Sequence, residues 1–286
     1  MSAELAKRVA FSLVAAPATV ALVYVGGVPL ALLLASLAGL AAWELYRIAR
    51  AGAVDPIGEL GIPLAAALPL AAWARVAGWP APGWDSAAVV VLLVLAAAIW
   101  LRGVEGKPLA AAAVTVFGAI YTGGMLAFGL ALRYHPYAVG AAAGTALVLL
   151  PVALTWASDI GAYAVGRTLG NRKLIPSVSP GKTVAGAVGG LVFTVLASWA
   201  LERWMLRPVA QLALSPVAIV VFGAVVSVTA QVGDLAESLL KREAGVKDSS
   251  RIFPGHGGVL DRLDSLFFVL PVAHLLLGAM LLPAPR

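Results

Sequence analysis

Asp261 and Asp264 stand three residues apart in GVLDRLDS, with Arg262 between them. That spacing puts both carboxylates on one face of any helix that starts there. Just upstream, Gly255, Gly257 and Gly258 surround His256. In such a turn the backbone can bend sharply, and its exposed N–H groups form a concavity for an anion. Two carboxylates beside an anion-holding turn suit Mg2+, which takes one or two carboxylates and completes its shell with phosphate oxygens and water. Acidic capping of the helix N-terminus accounts for one of the aspartates but not for the histidine–glycine turn. His256 is expected to touch phosphate. A general-base role fits less well, because a phosphate nucleophile needs no deprotonation near neutral pH.

Upstream lies a second cluster. Asp234, Glu237, Ser238, Lys241 and Arg242 follow the spacing of one helical stripe if the helix continues past Gly233. The plainer reading is a solvated face with Glu237 paired to Lys241. A carboxylate near a membrane surface is otherwise costly unless it is paired or holds a cation. Of only 14 acidic residues in the chain, Asp234, Glu237, Glu243, Asp248, Asp261 and Asp264 all fall between 234 and 264. A third set occupies 159–183. Asp159, Tyr163 and Arg167 repeat every four residues, and Lys173, Lys182 and Thr183 add a basic, hydroxyl-bearing patch suited to a polyphosphate. The stretch SPGKT lacks the paired glycines of a nucleotide-binding P-loop, and no strand is expected before it, so a P-loop NTPase is excluded.

The elements that must carry these residues are set by composition. The chain is 61% hydrophobic and only 12% charged over 286 residues, against about 45–50% and about 25% in soluble proteins. Most of it must therefore face lipid. With no cysteine there is neither a disulfide nor a thiolate metal site. Apolar runs near 9–26, 28–47, 61–78, 86–101, 109–132, 138–158, 184–201, 216–233 and 265–282 predict nine transmembrane helices, the first an uncleaved span. With the N-terminus cytoplasmic and the C-terminus outside, only Arg75, Arg133, Arg203, Arg207 and Arg286 of the 20 Lys and Arg residues lie outside, as the positive-inside rule requires. The segments 159–183 and 234–264 then share the cytoplasmic side. The expected architecture is all-α and polytopic. N-terminal membrane helices (1–133) would form the lipid groove and scaffold, and a C-terminal catalytic region (134–286) would carry both polar segments. A transporter is disfavoured because the acids cluster at one face and no internal repeat is visible. A membrane scaffold would not need the glycine–histidine–aspartate constellation.

Ser238, Leu240, Lys241, Arg242, Lys247, Asp248, Ser250, Ile252, Pro254, His256, Gly257, Gly258, Asp261, Arg262 and Asp264 keep one fixed spacing. In this the chain resembles, residue for residue, the signature of the phosphatidate cytidylyltransferases, or CDP-diacylglycerol synthases. QVGDLAES, SDIGAYAVGR and the WELY of residues 43–46 also look like family segments. The chain departs from the family at SPGKT, where members usually read Ser-Pro-Lys-Lys-Thr with a glutamate soon after. Here Gly181 and Ala185 replace a lysine and that glutamate, leaving Lys182 with more of the phosphate-binding charge.

The resemblance implies transfer of CMP from CTP to phosphatidic acid, giving CDP-diacylglycerol and pyrophosphate. Asp234, Asp261, Asp264 and Asp159 would be the Mg2+ ligands, with room for a second cation. Lys247, Arg262 and Lys182 would neutralise phosphate charge, and His256, Gly257 and Gly258 would line it. Asp248 would orient Lys247 or bind metal, and Ser179, Ser238, Lys173, Thr183, Lys241, Arg242, Tyr163 and Arg167 would contact substrate. The implied partners are CTP, phosphatidic acid and membrane lipids, with no nucleic acid and room for a homodimer. The implied location is a bacterial cytoplasmic membrane with the site facing the cytoplasm. The alternative is a related membrane enzyme acting on another lipid, such as a polyprenol kinase or an archaeal-lipid cytidylyltransferase.

Overall fold

The structure, a computed structural model, describes residues 3–250, 252 and 257–284, with side chains described from Leu13 onward except those of Trp84 and Asp85. In chain order the helices are α1 (Ala3–Val25), α2 (Gly27–Ala51), α3 (Gly58–Val76), α4 (Trp84–Leu101), α5 (Pro108–Arg133), α6 (Gly140–Leu169), α7 (Val184–Ala210), α8 (Pro216–Glu243) and α9 (Leu260–Met280). Among the described residues, seven of these are long and apolar enough to cross a membrane, and Leu13–Val25 and Ser86–Leu101 are shorter apolar helices. The protein is therefore an all-α, polytopic integral membrane protein, and each expected apolar run falls on one helix. On α4, Leu92, Ile99 and Trp100 are 66%, 65% and 79% exposed, an apolar surface that only lipid accommodates. Both polar segments begin as helix: α6 runs on to Leu169 and α8 to Glu243. The latter ends at a turn whose Gly245 takes a left-handed φ of 68°.

The chain forms two compact units. The first contains Met1–Leu130 and Leu240–Leu263, the second Ala131–Leu239 and Asp264–Arg286. Segment 240–263 thus groups with the N-terminal helices.

In the first unit the core forms around Tyr46 of α2, which is fully buried. Its hydroxyl donates to the Thr115 carbonyl of α5 at 2.7 Å. The Thr115 hydroxyl accepts from the Ile57 amide at 2.7 Å and donates to the Ala111 carbonyl. Gly61 of α3 and Gly118 of α5 lie so close to the Tyr46 ring that a Cβ at either position would overlap it. Hydrogen-bonded hydroxyls satisfy these buried polar atoms while small residues let the helices approach.

In the second unit α6 and α7 meet along a glycine seam. Gly161 and Gly189 approach each other's carbonyls, and Gly166 lies against Gly186. Buried hydroxyls join α8 to this pair: Ser158 and Ser227 are 3.0 Å apart, and Ser198 donates to the Ile219 carbonyl. Between α6 and α7 the chain makes an antiparallel hairpin of β1 (Lys173–Ile175) and β2 (Ser179–Thr183), with Lys173 opposite Thr183. The Thr183 hydroxyl then caps α7 by accepting from the Gly186 amide at 3.1 Å. A second short pair, β3 (Leu212–Ala213) with β4 (Leu282–Pro283), secures the C-terminal end.

Candidate active site

In the first unit a carboxylate buried in an apolar helix gathers the signature loop. Glu44 of α2 is 0% exposed. Its Oε1 accepts from the Ser250 hydroxyl and, at 3.0 Å, from the Val259 amide. Its Oε2 accepts from the Ser249 hydroxyl at 3.0 Å and from the Leu260 amide at 2.7 Å. Val259 and Leu260 open α9, so Glu44 supplies from another helix the anionic cap that those amides lack within their own. Gly258 is where the loop passes this carboxylate. A Cβ there would overlap the Ser249 hydroxyl and both Glu44 oxygens.

Asp261 sits beside Glu44's cluster. Its Oδ1 accepts from Lys241 Nζ at 2.7 Å. Its Oδ2 accepts from the Gly258 amide at 2.9 Å, the Ser249 hydroxyl at 2.8 Å and the Ser249 amide at 3.1 Å. The reach back to Gly258 is helix capping, and the lysine and serine bonds add to it. Each oxygen of Asp261 therefore carries a donor that a cation would have to displace. Gly257 takes a φ of 80°, the left-handed turn expected of that glycine. Lys247, Asp248 and Arg262 are exposed, and Arg242 is exposed with its guanidinium 3.4 Å from the Val246 carbonyl. His256 lies outside the described residues.

The second unit holds a cavity of about 390 Å3 whose lining includes Asp159, Tyr163, Arg167, Lys182, Gln231 and Asp234. The glycine seam places it: Gly166, Gly186 and Ala187 form its wall where α6 and α7 approach, and β2 carries Gly181, Lys182 and Thr183 across it. Lys182 Nζ pairs with Asp234 Oδ2 at 2.7 Å, and Ser238 donates to Asp234 Oδ1 at 3.4 Å. Tyr163 and Arg167, one turn apart on α6, are joined by a 2.8 Å bond from the guanidinium to the phenol oxygen. Two carboxylates, a lysine and an arginine lining one cavity can hold a polyphosphate and a divalent cation together. Among the described residues no three His, Asp or Glu side chains come together as a metal cage. Lys173 is exposed and Ser179 half-buried on the hairpin. Asp264 accepts from the Ser265 amide at 2.6 Å. Of the four expected metal ligands, Asp159, Asp234 and Asp264 belong to the second unit and Asp261 to the first.

Residues 6–280 match the profile of the cytidylyltransferase family. The chain belongs to that family. It is 32% identical over 279 residues to the phosphatidate cytidylyltransferase of Bacillus subtilis, a match covering 96% of this chain and 98% of the relative. More local matches reach 44% identity. One is with the phosphatidate cytidylyltransferase of Staphylococcus saprophyticus over 134 residues, 47% of this chain and 50% of that one. The other is with that of Pseudomonas aeruginosa over 135 residues, 46% and 48%.

Within this cytidylyltransferase, sequence reasoning missed Glu44 as a site residue. The available signal was a lone acid inside an apolar span, which is costly unless satisfied; its donors lie more than 200 positions away. Ser249 and Gln231 were also missed, the first because a serine in a loop carries no chemistry of its own. Glu237, read as a member of a solvated stripe, is 1% exposed. The physical reason is that α8 turns that face toward protein rather than water.

Proposed function

We propose that the protein transfers a cytidylyl group from CTP to phosphatidate, forming CDP-diacylglycerol and pyrophosphate, at the cytoplasmic face of a bacterial cytoplasmic membrane. The observation that carries this reading is the end-to-end match to the Bacillus subtilis phosphatidate cytidylyltransferase, which spans both polar regions described above. In the reaction a phosphate oxygen of the lipid bonds to the α-phosphorus of CTP. The bond from that phosphorus to the bridging oxygen breaks, and pyrophosphate leaves with the electron pair. Such transfers rest on positioning and charge neutralisation.

The residues supply those two needs. Lys182, already held against Asp234 at 2.7 Å, offers a cation to the phosphates, and Arg167, oriented by Tyr163, offers a second. Asp159 and Asp234 would hold Mg2+ at the cavity of the second unit, with Asp264 in the same unit, and Asp261 would meet a second cation in the first unit; such an ion, when bound, neutralises phosphate oxygens as charge moves to the leaving group. The exposed Lys247 and Arg262 are further cations for the phosphates of either substrate. Exposed apolar helices such as α4 keep the enzyme in the bilayer, where the diacyl tails remain throughout. Cytoplasmic sidedness is supported by the distribution of Lys and Arg among the loops.

The test is purified protein in detergent with CTP, phosphatidate and Mg2+. Release of pyrophosphate together with a cytidine-containing lipid is expected. Turnover confined to another lipid acceptor, or none at all, would refute the assignment. Reporter fusions at the two termini test the sidedness, with the N-terminus expected inside.

A further inference from the structure

We infer that Glu44 is a positioning residue for Asp261, acting through the Ser249 hydroxyl; the inference rests on the cytidylyl transfer proposed above. Glu44 is fully buried in an apolar helix, a placement that holds only when its lone pairs are satisfied. Among the described residues it accepts four hydrogen bonds, from Ser249, Ser250, Val259 and Leu260, which fills the capacity of a carboxylate. The loop is therefore tied to α2 on both sides, through Ser249 and Ser250 before it and Val259 and Leu260 after it.

Ser249 links Glu44 to Asp261. Its hydroxyl lies 3.0 Å from Glu44 Oε2 and 2.8 Å from Asp261 Oδ2, and its amide donates to Asp261 at 3.1 Å. A hydroxyl carries one proton, so it serves one of these two carboxylates at a time. Glu44 thus gives Ser249 an alternative acceptor. When phosphate or cation changes the load on Asp261, the serine turns its proton to Glu44 and no buried hydroxyl is left unsatisfied. Asp261 keeps its place while its donor set changes. An apolar or absent side chain at 44 would lock the serine onto Asp261 and release the loop.

The test compares Glu44→Gln, Ser249→Ala and the double variant. It measures kcat and KM for CTP per folded molecule, with the folded fraction taken from size-exclusion and thermal melts. Positioning predicts that each single variant lowers kcat at least tenfold while KM for CTP stays within threefold. The double variant then loses about as much as the more damaging single, because both act on one link. A purely structural role would lower the folded fraction and leave kcat per folded molecule within twofold of wild type, which would overturn the inference. Losses that multiply in the double variant would overturn it as well. If Glu44→Gln fails to fold, Ser249→Ala carries the test alone, since it leaves Glu44 with three donors. Wild-type protein inactive on phosphatidate would sink both readings, whereas an active wild type with unaffected variants would sink this one only.

Discussion

Replacing Gly258 with alanine adds one methyl group, and its cost can be worked out from its neighbours. The new Cβ would overlap the Ser249 hydroxyl and both oxygens of Glu44. The serine hydroxyl can rotate away. The Glu44 carboxylate cannot, because moving it breaks its bonds to the Val259 amide at 3.0 Å and the Leu260 amide at 2.7 Å. Both are hydrogen bonds to a charged group, worth about 1.5–3 kcal/mol each. The expected loss is therefore about 3–6 kcal/mol, a large share of a typical stability of roughly 5–15 kcal/mol. At about 2–4 °C per kcal/mol for chains of comparable size, the melting temperature should fall by on the order of 10 °C. The assay is intrinsic tryptophan fluorescence during heating in detergent, read beside Gly181→Ala. Gly181 has open space around it and an ordinary φ, so that variant should melt with the wild type. A Gly258→Ala protein melting within about 2 °C of wild type would refute the packing argument.

Other outcomes follow from the second unit. Lys182→Met removes a cation that is one-quarter exposed. Discounted for that exposure, the phosphate contact is worth about 1–2 kcal/mol, so kcat/KM for CTP should drop roughly 5–30-fold, with partial recovery in Lys182→Arg; a change under twofold would remove Lys182 from phosphate binding. Gly181→Lys places a second cation on the cavity wall without a clash, and KM for CTP should fall several-fold, most at low salt. An unchanged or higher KM in a normally folded variant would count against a phosphate at that wall. His135, between α5 and α6, is 4% exposed, and its Nδ1 accepts from the Tyr137 amide. Burial, and then the charge of His274, hold its pKa below the ordinary histidine value. The unfolded chain thus takes up a proton first as pH falls below about 6.5. The stability from neutral His135 is present above that pH and is lost as acidification proceeds toward the lowered folded value. Melting temperature should fall between pH 7 and 5.5, and His135→Gln should flatten that slope; an unaltered slope would assign it to other groups.

Much of this was legible in the residues. Long apolar runs specify helices because a backbone in lipid has no other partner for its polar groups. The spacing of Asp159, Tyr163 and Arg167 placed three cavity residues on one face of α6, and the Arg167–Tyr163 bond realises it. The hairpin of β1 and β2 was not legible. SPGKT has no strand-like alternation, and its pairing with residues 173–175 depends on how the capping Thr183 seats α7. Nor could spacing choose a partner for Lys241. Lys241 Nζ lies 2.7 Å from Asp261, 20 positions on and beyond the reach of helical spacing.

By itself, then, the sequence determined the membrane environment, the helical class, the polar segments and the signature residues. These depend on local composition and on spacings within a turn or two of helix. Tertiary structure alone decided which charges meet. Lys182 goes to Asp234, Lys241 to Asp261, and Glu44 to a loop more than 200 positions away. Hydrogen bonds and ion pairs act over about 3 Å, and a chain brings such distances about only by packing. The roles of Glu44 and Gly258 therefore became visible once α2 and the start of α9 were seen side by side.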